Sequence, residues 1–277
     1  MSIHQHRLRS QEGMSRRNAL RGAAFVAGGV LLGGAADLGG PTSAMAATLS
    51  GTVYKRGDWK ARKPKQAAQV LGKGPDHIII HHTATANSGD RSKNHAFALS
   101  RSIQRYHMDS NKWDDTGQQL TISRGGHVME GRNGSLAAIR GGRHVVGAHV
   151  ANHNAHTIGI ESEGTYTSAG PPTALLSALV ETCAWLCAAY GLNPAKAIVG
   201  HRDYNKTSCP GDKLYSLLPK LRSDVGARMA RLEVRLEQLG YDEVPKEHLP
   251  TYPEVPMDER TTDYYHGPAF GDADPSL

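Results

Sequence analysis

The sequence predicts an α/β fold: a single domain with a central mixed β-sheet flanked by helices. Three observations carry that expectation. Short runs rich in β-branched residues at 77–81, Thr157–Ser162 and 197–200 have the length of strands and are too short for helices. Segments of helical period at 93–109 and Thr173–Tyr190 are interleaved between them, and a closing helix is expected over 213–222. Two further strand-like runs, 120–123 and 127–130, flank Arg124-Gly125-Gly126 and read as a hairpin.

Taken in order, the chain opens on a targeting segment. Arg16-Arg17 form a twin-arginine pair, a glycine- and alanine-rich apolar run covers 22–36, and Ala44-Met45-Ala46 offers a small-x-small cleavage site. Residues 1–46 are therefore expected to be a twin-arginine signal peptide, and the mature protein to be secreted, without stable membrane insertion. No later stretch is expected to be long enough to span a membrane. Residues 47–75 read as an irregular N-terminal arm, and 76–222 as the folded domain. Within it, Ala96, Leu99, Ile103 and Tyr106 sit near helical spacing in the first helix. In the second, Leu175, Leu179, Leu186 and Tyr190 share a face with Leu176, Val180, Cys183 and Cys187, and Gly191 stops it. An amphipathic extension follows over 223–240. The tail, 241–277, is acidic and proline-rich and is expected to be disordered.

Composition narrows the function classes. With 277 residues, 39% of them hydrophobic and 21% charged, the chain can bury a normal core. The formal charge of +6 would attract polyanions, but part of it lies in the leader, so no nucleic-acid partner is expected. Three cysteines, at 183, 187 and 209, do not make a disulfide scaffold. Cys183 and Cys187 lie one helical turn apart and are expected in the core.

Three polar clusters fall at strand ends or just beyond: His81-His82-Thr83, Glu161-x-Glu163, and His201 to Cys209. Loops beyond strand ends converge on one edge of a sheet, so the clusters can share a cleft. Two imidazoles and a thiolate bind Zn²⁺ and leave a fourth position for water. A carboxylate nearby can take a proton from that water and deliver it to a leaving nitrogen. This chemistry is metal-assisted hydrolysis of an amide, and the spacing leaves open which amide.

The motifs I-I-I-H-H-T-A-T, W-D-D-T-G, E-G-R, G-A-H, I-G-I-E-S-E-G and G-H-R-D-Y-N-K-T-S-C-P-G follow one another in this order over about residues 75–220. Together they resemble the family of peptidoglycan recognition proteins and type 2 N-acetylmuramoyl-L-alanine amidases. The resemblance implies a peptidoglycan substrate and one Zn²⁺ per chain, held by His81, His201 and Cys209. It implies that Thr207 helps to stabilise an oxyanion and that His149 lines the substrate groove. Many relatives carry a tyrosine where this chain has Gln118, at the groove near the metal. Glutamine is no acid or base, and related anhydro-muramyl amidases use a glutamate that falls on Glu161, which is therefore the expected general base.

Blander roles stand beside these. Glu163 reads as a strand-end residue, and His153 and His156 as loop histidines. Trp113 and Tyr166 are aromatics able to stack on a sugar or to anchor the fold. Two alternatives remain open at this point: a non-catalytic peptidoglycan-binding module, and a zinc hydrolase of another amide. No oligomeric state is implied.

Overall fold

A computed structural model describes residues 53–231. Its strands are β1 (Val53–Tyr54), β2 (Val70–Leu71), β3 (His77–His82), β4 (Leu120–Ile122), β5 (Val128–Glu130), β6 (His144–Val145), β7 (Thr157–Ser162) and β8 (Ile198–Gly200). Its α-helices are α1 (Lys93–Arg105), α2 (Ser135–Arg140), α3 (Thr173–Tyr190), α4 (Pro194–Ala197), α5 (Asp212–Tyr215) and α6 (Leu218–Arg231). Six strands form one sheet in the order β1-β5-β4-β7-β3-β8, and β2 pairs with β6 separately. The β4–β5 pair is antiparallel, as the hairpin pattern predicts, and every other pair in the large sheet is parallel. The sheet is mixed, as expected.

Alternation along the strands divides the sheet into two working sides. Ile78, Ile80, Ile158, Ile160, Leu120 and Ile122 join one core with Leu175, Leu179, Trp185 and Leu186 of α3 and Leu221, Val225 and Met229 of α6. Burying each such side chain contributes about 1.5–3 kcal/mol, so this layer supplies most of the hydrophobic stabilisation. Ile79 belongs instead to a small cluster with Val150, Val199 and Tyr204. Successive side chains in a strand point to opposite faces, so His77, Ile79 and His81 share the side away from α3 and α6. The register pairs Ile79 with Gly159, His81 with Glu161, and Thr121 with Glu161, which places all of these on that side. His82 and Ser162 fall on the helix side.

Local signals explain the helix limits. The Ser92 side chain accepts from the His95 backbone amide at 3.2 Å and opens α1. The helix expected to run to 109 changes to a π turn over Tyr106–Ser110. Gly191 closes α3 in the left-handed region at φ 69°, a conformation glycine adopts without a Cβ penalty.

The structure corrects several expectations. The arm is part of the domain from Val53 on: β1 pairs with β5, and the fully buried Trp59 donates from Nε1 to the Glu130 carbonyl at 2.9 Å. The boundary at 222 falls inside α6, whose Val225 and Met229 are fully buried in the main core. Helix α3, at 18 residues, is long and apolar enough to cross a membrane by length and composition, contrary to expectation. Its buried Leu175, Leu179, Cys183, Trp185 and Leu186 instead make it the central core helix. Cys183 and Cys187 are free and buried there, and burial pushes both thiols up. The expected twin-arginine leader, residues 47–52 of the arm, the rest of the expected extension at 232–240 and the acidic tail lie outside the described residues.

Candidate metal centre

Two strand ends and one loop assemble the centre. His81 lies near the end of β3, and β8 passes into a 3₁₀ turn over His201–Asp203. The turn is fixed by the Gly200 amide donating to Asp203 Oδ2 at 2.8 Å. Arg202, almost fully buried, staples the loop that follows. Its guanidinium pairs with Asp212 at 2.7 Å and donates to the Ser208 carbonyl, while its backbone amide donates to the Cys209 carbonyl at 3.1 Å. That loop returns Cys209 to His81.

The ligand atoms of His81, His201 and Cys209 all lie within 4.8 Å of one another, and all three residues are buried. Cys209 Sγ is 3.7 Å from His81 Nδ1 and accepts from the His82 backbone amide at 3.5 Å. The His81 and His201 rings are 4.6 Å apart. Burial pushes the His81 imidazole well below its ordinary value, helped by nearby His201 and His149. Burial also takes His201 down to about 3, against an opposing hydrogen bond to Asn205. Both rings are therefore neutral at pH 7, which is the form that ligates a metal.

A relay behind His81 selects its ligating nitrogen. His149 Nε2 is 3.3 Å from the Thr157 carbonyl, and His149 Nδ1 is 3.1 Å from His81 Nε2. A carbonyl only accepts, so the His149 proton sits on Nε2 and its Nδ1 receives the His81 Nε2–H. His81 is left with its lone pair on Nδ1, the atom facing Cys209. Metal-bound histidines are commonly oriented by such a second partner. Gly159 makes room for the relay, since a Cβ there would lie 2.7 Å from the His149 ring. The donor set, its burial and this tautomer together fit a zinc ion.

Glu161 stands on β7 opposite His81 in register and is fully buried. Thr207 is nearly buried, and its hydroxyl oxygen accepts from the Cys209 amide at 3.2 Å. Gln118 is fully buried and donates from Nε2 to Thr121 Oγ1 at 2.9 Å, next to Glu161 in register. His149 does not line the groove surface as expected: it is fully buried behind His81. Of the three residues expected to meet substrate, only Trp113 retains exposed surface, beside the His107 ring at 4.6 Å. Glu163 accepts from His95 Nε2 at 2.6 Å and from the Arg124 amide at 2.7 Å, and Tyr166 is fully buried, so both serve the fold. Sequence reasoning missed Arg202, Asp203 and Asn205 as the residues that shape the 201–209 loop. Their only signal was their place inside the G-H-R-D-Y-N motif.

The profile of the Amidase_2 family, described as N-acetylmuramoyl-L-alanine amidase, matches residues 71–212. The chain belongs to this family. The Homo sapiens N-acetylmuramoyl-L-alanine amidase is 33% identical over 183 residues, covering 65% of this chain and 30% of the human protein. The chain thus spans less than a third of that curated relative. Peptidoglycan-recognition protein SC1a/b of Drosophila simulans is 31% identical over 164 residues, covering 59% of this chain and 82% of its own length. Among solved structures, tracheal cytotoxin bound to the ectodomain complex of peptidoglycan recognition proteins LCa and LCx aligns with a TM-score of 0.53 and 29% identity. That alignment covers 61% of this chain and 95% of the other. The amidase fold accounts for the mixed sheet with its flanking helices. The matches include both amidases and recognition proteins, so membership does not by itself give a catalytic function.

Proposed function

We propose that this chain hydrolyses the amide between N-acetylmuramic acid and L-alanine in peptidoglycan, using one zinc ion. The observation that carries the reading is the convergence of His81, His201 and Cys209, with the His81 tautomer set for ligation. When bound, a zinc ion in such a set acidifies water and polarises a carbonyl. The residues of the chain divide the remaining work. Glu161 takes a proton from the attacking water and returns it to the alanine nitrogen as that nitrogen leaves. The Thr207 hydroxyl donates a hydrogen bond to the carbonyl oxygen as negative charge develops there. Trp113 supplies an apolar surface for a sugar face. The mature protein works outside the cytoplasm after export by the twin-arginine route.

A second reading, recognition without cleavage, is favoured by one observation. Gln118 cannot exchange a proton, and its amide is engaged with Thr121. Incubation of the purified mature protein with cell-wall sacculi, followed by mass spectrometry, separates the two. Stem peptides beginning with L-alanine, abolished by a chelator, are the expected products. Sacculi that bind the zinc-replete protein and stay uncut would favour recognition instead.

A further inference from the structure

At the other end of β3 and β7, on the same side of the sheet as His81, lies a second convergence of metal-ligating groups. His77 opens β3 with Asp76 just before it, and His156 immediately precedes β7. One ligand atom from each lies within 4.8 Å of the other two. Asp76 Oδ1 is 2.8 Å from His77 Nδ1 and 2.8 Å from His156 Nδ1. His156 Nε2, on the far side of its ring, is 3.0 Å from His153 Nδ1. The two segments are tied together, because the Asp76 amide donates to the His156 carbonyl at 2.9 Å. His153 is held by its carbonyl, which accepts from Thr157 Oγ1 at 2.8 Å. Tyr204 stands beside all three rings, 5.9 Å from His77, 4.5 Å from His153 and 5.9 Å from His156.

We propose that Asp76, His77 and His156 form a second transition-metal site, separate from the first and selective for zinc or a similar borderline divalent ion. Two imidazoles and one carboxylate suit zinc, cobalt, nickel or iron, whereas calcium and magnesium demand oxygen ligands. Ligands bonded at about 2.1 Å around a tetrahedral ion lie roughly 3.4 Å apart. The present 2.8 Å contacts reach that spacing by opening about half an ångström. The 24% exposed Asp76 side chain gives the ion a way in.

Binding asks each ring for its Nδ1 lone pair. Each ring then keeps a proton on Nε2 alone, and His153 Nδ1 is placed to accept the His156 Nε2–H. One ion cannot serve both sites. His77 and His81 are four residues apart on β3, about 13 Å at roughly 3.3 Å per residue.

The test is a titration of the metal-free mature chain with Co²⁺, followed by optical absorption and stoichiometry. Two equivalents are expected. One carries the thiolate charge-transfer band of the Cys209 site, and the other shows only the weak bands of nitrogen and oxygen ligation. His156→Gln should bind one equivalent with the charge-transfer band unchanged, and Cys209→Ser should keep the equivalent that lacks it. His153→Ala should weaken the second equivalent about 10–100-fold and leave the first alone. A single equivalent in the unmodified chain overturns the site. So does a second equivalent that survives in both His156→Gln and Asp76→Asn.

Discussion

His81 and His82 are neighbours in the chain and both fully buried, yet they work on opposite sides of one sheet. His81 faces His149, His201 and Cys209. His82 turns toward the helix layer, where its Nδ1 accepts the Tyr166 amide at 3.2 Å. Its backbone still reaches the centre, through the bond from its amide to Cys209 Sγ. Residue type does not distinguish the two. Strand phase does, since a one-residue step reverses the face.

The sharpest challenge to this contrast is a pair of substitutions. His81→Ala should release the metal and take turnover to the detection limit. His82→Asn should keep the metal and cost about 1–3 kcal/mol in denaturant unfolding, the range for disturbing one buried hydrogen-bonded group. Equal metal loss from both would break the division of labour. Next in size, Glu161→Gln removes the proposed base from the His81 side. It should lower turnover about 10²–10⁴-fold with metal content unchanged, as measured by assay on sacculi and elemental analysis.

The smallest effect is a pH dependence from the helix side. Burial takes His82 down to about 3, helped by the positive Arg202 nearby. An unfolded histidine titrates near 6.5, so below that pH the unfolded chain gains the proton first. The contribution is complete above 6.5 and is lost as pH falls toward 3. By pH 5 about 2 kcal/mol of it is lost. Urea unfolding of the metal-free chain at pH 7.5 and 5 should show it, with a flatter dependence in His82→Asn.

The parts of the fold that the sequence disclosed are those with a strong local period or an obligatory residue type. Helix α3 repeats apolar residues over 18 positions and ends at Gly191, so both its face and its end could be read. His81, His201 and Cys209 could be singled out because few side chains bind a soft-to-borderline metal and because they stand in recognisable motifs, and the structure brings them together. Other features had no such signal. Strand β1 has two residues and α4 has four, too few for a period to register. The apolar spacing of Leu218, Leu221, Val225 and Met229 runs through position 222 without a break, and no glycine or proline marks a boundary there. His149 reads as a loop residue, and only the packing of its ring over Gly159 reveals its place behind His81. Asp76 and His156 are 80 residues apart, so their contact depends on the pairing of β3 with β7.

Among the described residues, the strands at the two borders of the sheet, β1 and β8, are two and three residues long. A border strand is where a foreign chain could add itself to a sheet and begin an aggregate, and the risk grows with the length of backbone it presents. Long strands such as β3 and β7 are kept inside, with a neighbour on each side. The arrangement of strand lengths is thus also a defence against unwanted assembly, set by the same short segment, Val53–Tyr54, that first looked like an irregular arm.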